Sequence, residues 1–177
     1  VPGYNTSQEF AVLEQQCLRF DPDVILVGYC LNDWVAPFFV KDPVKGGLIE
    51  SSVLLKWIQE RGREGAQRYF DRYQGMDKTV QALKDLSRLA RERKLQVVFF
   101  VAPTPHAERD ADEALRGLAR ELGFVNVEVT EALRRGHKLE DLVLSATDDH
   151  PNPAGHRLIA EALRPALLDA LRSRSGS

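Results

Sequence analysis

Asp23-Val-Ile-Leu-Val-Gly-Tyr29 is an unbroken apolar run of strand length. A strand with one solvated face alternates apolar and polar side chains, whereas a strand covered on both faces is apolar throughout. The run therefore predicts a buried strand of a parallel sheet. Gln96-Val-Val-Phe-Phe-Val-Ala102 repeats the pattern and is stopped by Pro103-Thr-Pro105. Helical periodicity fills the intervals. Ser7 to Arg19 sets Phe10, Val12, Leu13, Cys17 and Leu18 near one face, with Thr6 or Ser7 as N-cap, and Pro22 ends the helix. Further helices are expected over Ser51 to Tyr73, Met76 to Arg93 and Ala107 to Leu122, the last closed by Gly123. A short strand from Val125 to Val129, an irregular segment from Leu139 to Asn152 and a final helix from Pro153 to Leu171 complete the pattern. Strands alternating with helices predict a parallel sheet with helices on both faces.

At 177 residues the chain suits one α/β domain, and its 44% hydrophobic and 28% charged residues are ordinary for a globular protein. Residues 1–172 are read as that domain, 48–75 as a helical insertion or lid or else a packed connector, and 173–177 as a polar tail. A formal net charge of −2 gives no pull toward nucleic acid, and no apolar run is long enough for a membrane span. Cys17 and Cys30 form neither a disulfide framework nor a zinc site, and are expected as buried reduced thiols. Gly46-Gly47 lacks the Lys-Ser/Thr of a phosphate loop and reads as a turn. The compartment stays open.

Ligands collect at the carboxyl ends of strands in open α/β sheets. Polar clusters fall there: Cys30-Leu-Asn-Asp-Trp34 after the first run, and Asp148-Asp-His-Pro-Asn152 before the last helix, while Gly3-Tyr-Asn-Thr6 opens the chain. His150 beside carboxylates is a candidate general base, since a neighbouring carboxylate fixes the imidazole tautomer. The Asn32 side-chain amide and the Gly3 backbone N–H are candidate oxyanion donors. Taken singly, Asn32 is also a turn residue and Asp-Asp-His-Pro a capping loop. His106 and His137 read as solvent-side, His156 as packing or capping. Asp33 and Trp34 suit either a site lining or a loop packed on the sheet.

Taken in order, Gly3-Tyr-Asn-Thr, Tyr29-Cys-Leu-Asn32-Asp33 and Asp148-Asp-His150-Pro-Asn-Pro-Ala-Gly155-His156 resemble the SGNH/GDSL family of serine ester hydrolases, a likeness that runs through essentially the whole chain. The resemblance implies a three-layer α/β/α sandwich with a parallel flavodoxin-like sheet. It implies Gly3 and Asn32 in the oxyanion hole, His150 as general base, and an Asp that orients it. Many members carry that Asp three residues before the His, where Thr147 stands here. Others carry it two before, which selects Asp148 over Asp149. The family's Gly-Asp-Ser, which bears the nucleophile, occurs nowhere in this sequence. Neither Ser7 nor Ser145 follows the family's first strand, so the nucleophile is expected outside the chain. The N-terminal strands are expected there too, leaving the strand Asp23 to Tyr29 with an open edge. The activity implied is hydrolysis of a small-molecule or carbohydrate ester without metal or organic cofactor. O-acyl transfer to a polysaccharide, or a non-catalytic domain that binds a glycan or a partner, remain as alternatives.

Overall fold

The computed structural model describes residues 4–30, 33, 76–105 and 109–175. The expected helix over 51–73, the 48–75 insertion, Gly46-Gly47, Trp34 and His106 lie outside the described residues.

Helix α1 (Thr6–Val12) continues through a π-helical turn (Leu13–Cys17) and a 3₁₀ turn (Leu18–Phe20). Its N-cap is Asn5, not Thr6 or Ser7. The Asn5 side chain accepts from the Gln8 N–H at 2.9 Å, while the Gln8 side chain accepts from the Asn5 N–H at 3.2 Å. This reciprocal box satisfies two donors, and a hydroxyl cap at Ser7 would start the helix two residues later. Asp21 ends the segment in the left-handed region, φ 48°.

Strand β1 (Val24–Tyr29), helix α2 (Met76–Arg93), strand β2 (Gln96–Val101), helix α3 (Arg109–Glu121) and strand β3 (Val125–Asn126) follow. The three strands form one parallel sheet in the order β1-β2-β3. β1 and β2 run in continuous register from Val24 opposite Gln96 to Tyr29 opposite Val101. β2 is the central strand and the most deeply covered. Period-two alternation divides its side chains between two cores. Val97, Phe99 and Val101 meet Leu83, Leu86 and Leu115 of α2 and α3 on one face. On the other face, Val98 meets Val129 and Leu133 of helix α4 (Val129–Arg134) and Ile159 and Leu163 of helix α5 (Pro153–Ser175). Two cores separated by one sheet make the three-layer sandwich.

β1 has β2 as its strand neighbour among the described residues, and its side chains are less covered: Leu26 is 45% exposed, whereas Phe99 on β2 is fully buried. Gly28 on β1 matters for packing, because a Cβ there would come within 2.7 Å of the Phe100 ring.

Several expectations are corrected. The strand predicted over Val125 to Val129 stops at Asn126, and Val129 instead begins α4. The segment from Leu139 to Asn152 is ordered: a 3₁₀ turn (Leu139–Leu142), then strands β4 (Val143–Ser145) and β5 (Asp148–Pro151), paired antiparallel as a hairpin. α5 extends through Ser175, so Ser173 belongs to the helix rather than to a tail, and its hydroxyl donates to the Ala170 carbonyl at 2.8 Å. Neither cysteine is buried; Cys17 is half-buried and Cys30 exposed, both as free thiols. Strand alternation explains the second, since the turn inward at Tyr29 sends the next side chain outward. His156 is exposed on the first turn of α5, and His137 is exposed as expected.

Candidate active site

The β4–β5 hairpin carries the candidate base. Asp148 and His150 are two residues apart on β5, so period-two geometry places them on one face. The His150 Nδ1 lies 2.6 Å from the Asp148 Oδ1, and the same oxygen accepts the His150 backbone N–H at 3.1 Å. The two hydrogen bonds from His150, side-chain first, hold the Asp148 carboxyl below its ordinary value. With Nδ1–H directed at a carboxylate, the basic nitrogen is Nε2, the arrangement required of a general base. The pair stands open, His150 being 83% and Asp148 46% exposed, so a reacting group can reach the imidazole.

Asn152 anchors this hairpin to the last helix. Its side-chain oxygen accepts the N–H groups of Ala154 and Gly155, both at 3.0 Å, as an N-cap does. Its side-chain NH₂ donates to the carbonyls of Asp141 at 2.9 Å and Val143 at 3.1 Å. Gly155 sits where a Cβ would come within 2.5 Å of the Leu142 carbonyl oxygen and 3.2 Å of the Pro151 side chain. The sequence pattern Asn152-Pro-Ala-Gly155 thus records a cap, a first-turn proline and a close backbone approach. The cap signal was present as Asn immediately before Pro; the two donated bonds were not readable without the fold.

Gly3 and Asn32 themselves lie outside the described residues. Of the described residues near them in sequence, the Thr6 N–H donates to the Asp33 carbonyl at 3.3 Å. Asp33 is 7% exposed, and its carboxylate accepts the Cys30 N–H at 2.7 Å. Of the two options left open for Asp33, the structure shows a side chain turned onto its own loop's backbone. Burial pushes its carboxyl up to about 6; the Cys30 hydrogen bond opposes this rise and the Glu9 charge adds to it. Burial, with Asp33 next, also pushes the Tyr29 phenol up to about 12, and its hydroxyl is buried without a partner among the described residues. Among those residues no three His, Cys, Asp or Glu side chains gather as a metal site would require. No helix among them is long and apolar enough to cross a membrane.

A parallel sheet with helices on both faces, and a carboxylate–imidazole pair on a hairpin ahead of the last helix, make an α/β domain with a candidate general base. A model of the GDSL-like lipase/acylhydrolase family matches residues 1–158, and the chain belongs to that family. Among solved structures it is similar to a protein from Parabacteroides merdae ATCC 43184 described as a GDSL-like lipase. That match has a TM-score of 0.57 and 16% identity, covering 96% of this chain and 69% of the other. It is also similar to LAE5, an alpha/beta hydrolase enzyme from the metagenome of Lake Arreo, Spain, with a TM-score of 0.59 and 20% identity, covering 96% of this chain and 68% of the other. No curated protein matches.

Proposed function

We propose that the chain supplies the base and the oxyanion donors of a serine ester hydrolase acting on a small-molecule or carbohydrate ester. The observation that carries this is the 2.6 Å contact between His150 and Asp148 in a member of the GDSL-like lipase/acylhydrolase family. The serine comes from outside these residues, since no Gly-Asp-Ser is present among them. Its hydroxyl proton passes to the His150 Nε2 as its oxygen attacks the acyl carbon. The Gly3 backbone N–H and the Asn32 amide donate to the oxygen that gains charge, a type of contact worth roughly 2.7–4 kcal/mol per donor. His150 then returns the proton to the departing alkoxide. Water repeats the sequence on the acyl-enzyme, and Asp148 holds the imidazole tautomer throughout.

The test uses the whole protein, treated with a fluorophosphonate and assayed with p-nitrophenyl esters. Labelling is expected at a serine outside residues 1–177, with turnover that His150→Ala removes. A label on Ser7 or Ser145, or full activity in His150→Ala, overturns the proposal.

A further inference from the structure

The hairpin that carries the candidate base also carries an apolar side chain opposite it. Val143 pairs with Pro151 and Ser145 with Asp148, and the register shifts between the two pairs, so Asp149 and His150 share the place opposite Leu144. Two residues opposing one is the count of a β-bulge, a feature that next to active sites re-aims a side chain. Opposing residues of an antiparallel pair hold their Cβ atoms roughly 4.5–5.5 Å apart. Leu144 is 58% exposed and His150 83%. The segment joins the body through Leu139 and Leu142, both buried in the cluster around Val98, so its anchoring does not use Leu144. Ser145 and Thr147, which follow Leu144, are exposed and polar. An exposed leucine calls for no explanation by itself, but one placed opposite a proton-transfer group meets whatever that group serves.

We propose that Leu144 is a specificity-determining residue that contacts the alcohol part of the ester and selects alcohols with an apolar group next to the ester oxygen. The inference rests on the hydrolase function proposed above. The Asp148 carboxylate engages Nδ1 of His150, so Nε2 is the atom that returns the proton to the departing alkoxide. That oxygen comes within roughly 2.6–3.2 Å of Nε2 at the transfer, and the carbons bonded to it lie among the neighbours of the imidazole. The acyl chain is bonded to the carbonyl carbon instead, one atom further from the ring. Among the hairpin residues around His150, Leu144 is the exposed apolar one. An alkyl or aryl group laid on Leu144 removes apolar surface of both from water. A methyl group covers little of it, and a polyhydroxylated alcohol sets its hydroxyls against a side chain that cannot hydrogen-bond.

The test compares the whole protein with its Leu144→Ala, Leu144→Met and Leu144→Asn variants on two ester series. Methyl, butyl and hexyl acetate vary the alcohol at nearly constant leaving-group basicity, while methyl acetate, butyrate and hexanoate vary the acyl chain. In the wild type kcat/KM is expected to rise from methyl to hexyl acetate. Leu144→Ala is expected to lower the hexyl-to-methyl acetate ratio by roughly tenfold, the low end of what a small apolar difference gives, and to hold the hexanoate-to-acetate ratio of the methyl esters within about twofold. Leu144→Met, which keeps length and apolarity, recovers most of the lost ratio, and Leu144→Asn does not. A hexyl-to-methyl ratio unchanged in Leu144→Ala overturns the proposal, as does a fall confined to the acyl series. If the wild type turns over neither series, or His150→Ala has no effect, the hydrolase function itself has failed. Titration of 1-hexanol against the His150 ring resonances then decides. Binding weakened by Leu144→Ala still shows an apolar alcohol held beside the imidazole, and unchanged binding overturns it.

Discussion

The Asp148 carboxylate receives both the imidazole Nδ1–H and the backbone N–H of His150, through a single oxygen, on a strand of four residues. The backbone bond fixes where the carboxylate can lie and the side-chain bond fixes how the ring turns.

His150→Ala is expected to reduce kcat of the whole protein by roughly 10²–10⁴-fold, the usual range for a positioned general base. Asp148→Asn is expected to be less severe, and the double variant little worse than His150→Ala, because residues acting as a unit give non-additive losses. Asp149→Asn serves as the control. A silent Asp148→Asn beside a damaging Asp149→Asn contradicts the pairing.

Asp33 should make stability depend on pH. Its folded value, about 6, lies above the ordinary 3.8. The folded state therefore binds more protons between these values, so the contribution is fully present below about 3.8 and is lost as pH rises through about 6. A shift of that size corresponds to about 3 kcal/mol. Asp33→Asn should match the wild type near pH 4 and exceed it at pH 8. Urea titrations of both proteins at the two pH values check this; parallel pH profiles would remove the effect.

Asn152→Ala removes an N-cap and two further donated bonds at once. A lost cap costs typically about 1 kcal/mol, and the carbonyls of Asp141 and Val143 lose their side-chain donor as well. A loss of about 2 kcal/mol is expected, read as a lower denaturation midpoint. kcat should fall with it, since β5 carries the dyad and joins α5 through Asn152. An unchanged midpoint contradicts this account of the hairpin.

Gly155→Ala places a methyl group against the Leu142 carbonyl, a backbone atom that cannot swing aside. Overpacking of this kind costs about 1–3 kcal/mol. Gly117→Ala is the comparison, because a Cβ there meets nothing within 4 Å. Alanine at 117 should be neutral or slightly stabilising, as expected for a helix interior. Equal thermal melts for the two variants count against the close approach.

The sheet was legible because β1 and β2 are apolar on both faces, and α2 because its periodicity runs from Met76 to Arg93 without interruption. α4 was hidden. Val125, Val127 and Val129 are β-branched and read as strand, and the burial of Val129 and Leu133 against Val98 shows the helix. The β4–β5 hairpin was hidden for the opposite reason, since Asp-Asp-His-Pro has no strand propensity and is held by pairing with Val143 and Ser145. His150 and Asp148 were named from a motif, but their meeting on one face depends on that strand. Asp33 was ambiguous because both of its options call for a polar residue after β1. The deciding fact, a carboxylate turned back on the Cys30 N–H, involves no sequence pattern at all.

The sheet register also orders the assembly of the protein in time. Val98 pairs with Val125, whereas Val24 must find Gln96 across a far longer stretch of chain. Closing the longer connection costs roughly 0.9 kcal/mol more in chain entropy, and contacts distant in sequence are slow to form. The β2–α3–β3 unit is therefore the early nucleus, and β1 joins a scaffold already in place. Since the bonds among Cys30, Asp33 and Thr6 hang from the end of β1, they are completed last. A chain caught before that step would already hold much of its helix and strand content while those ties were still unmade.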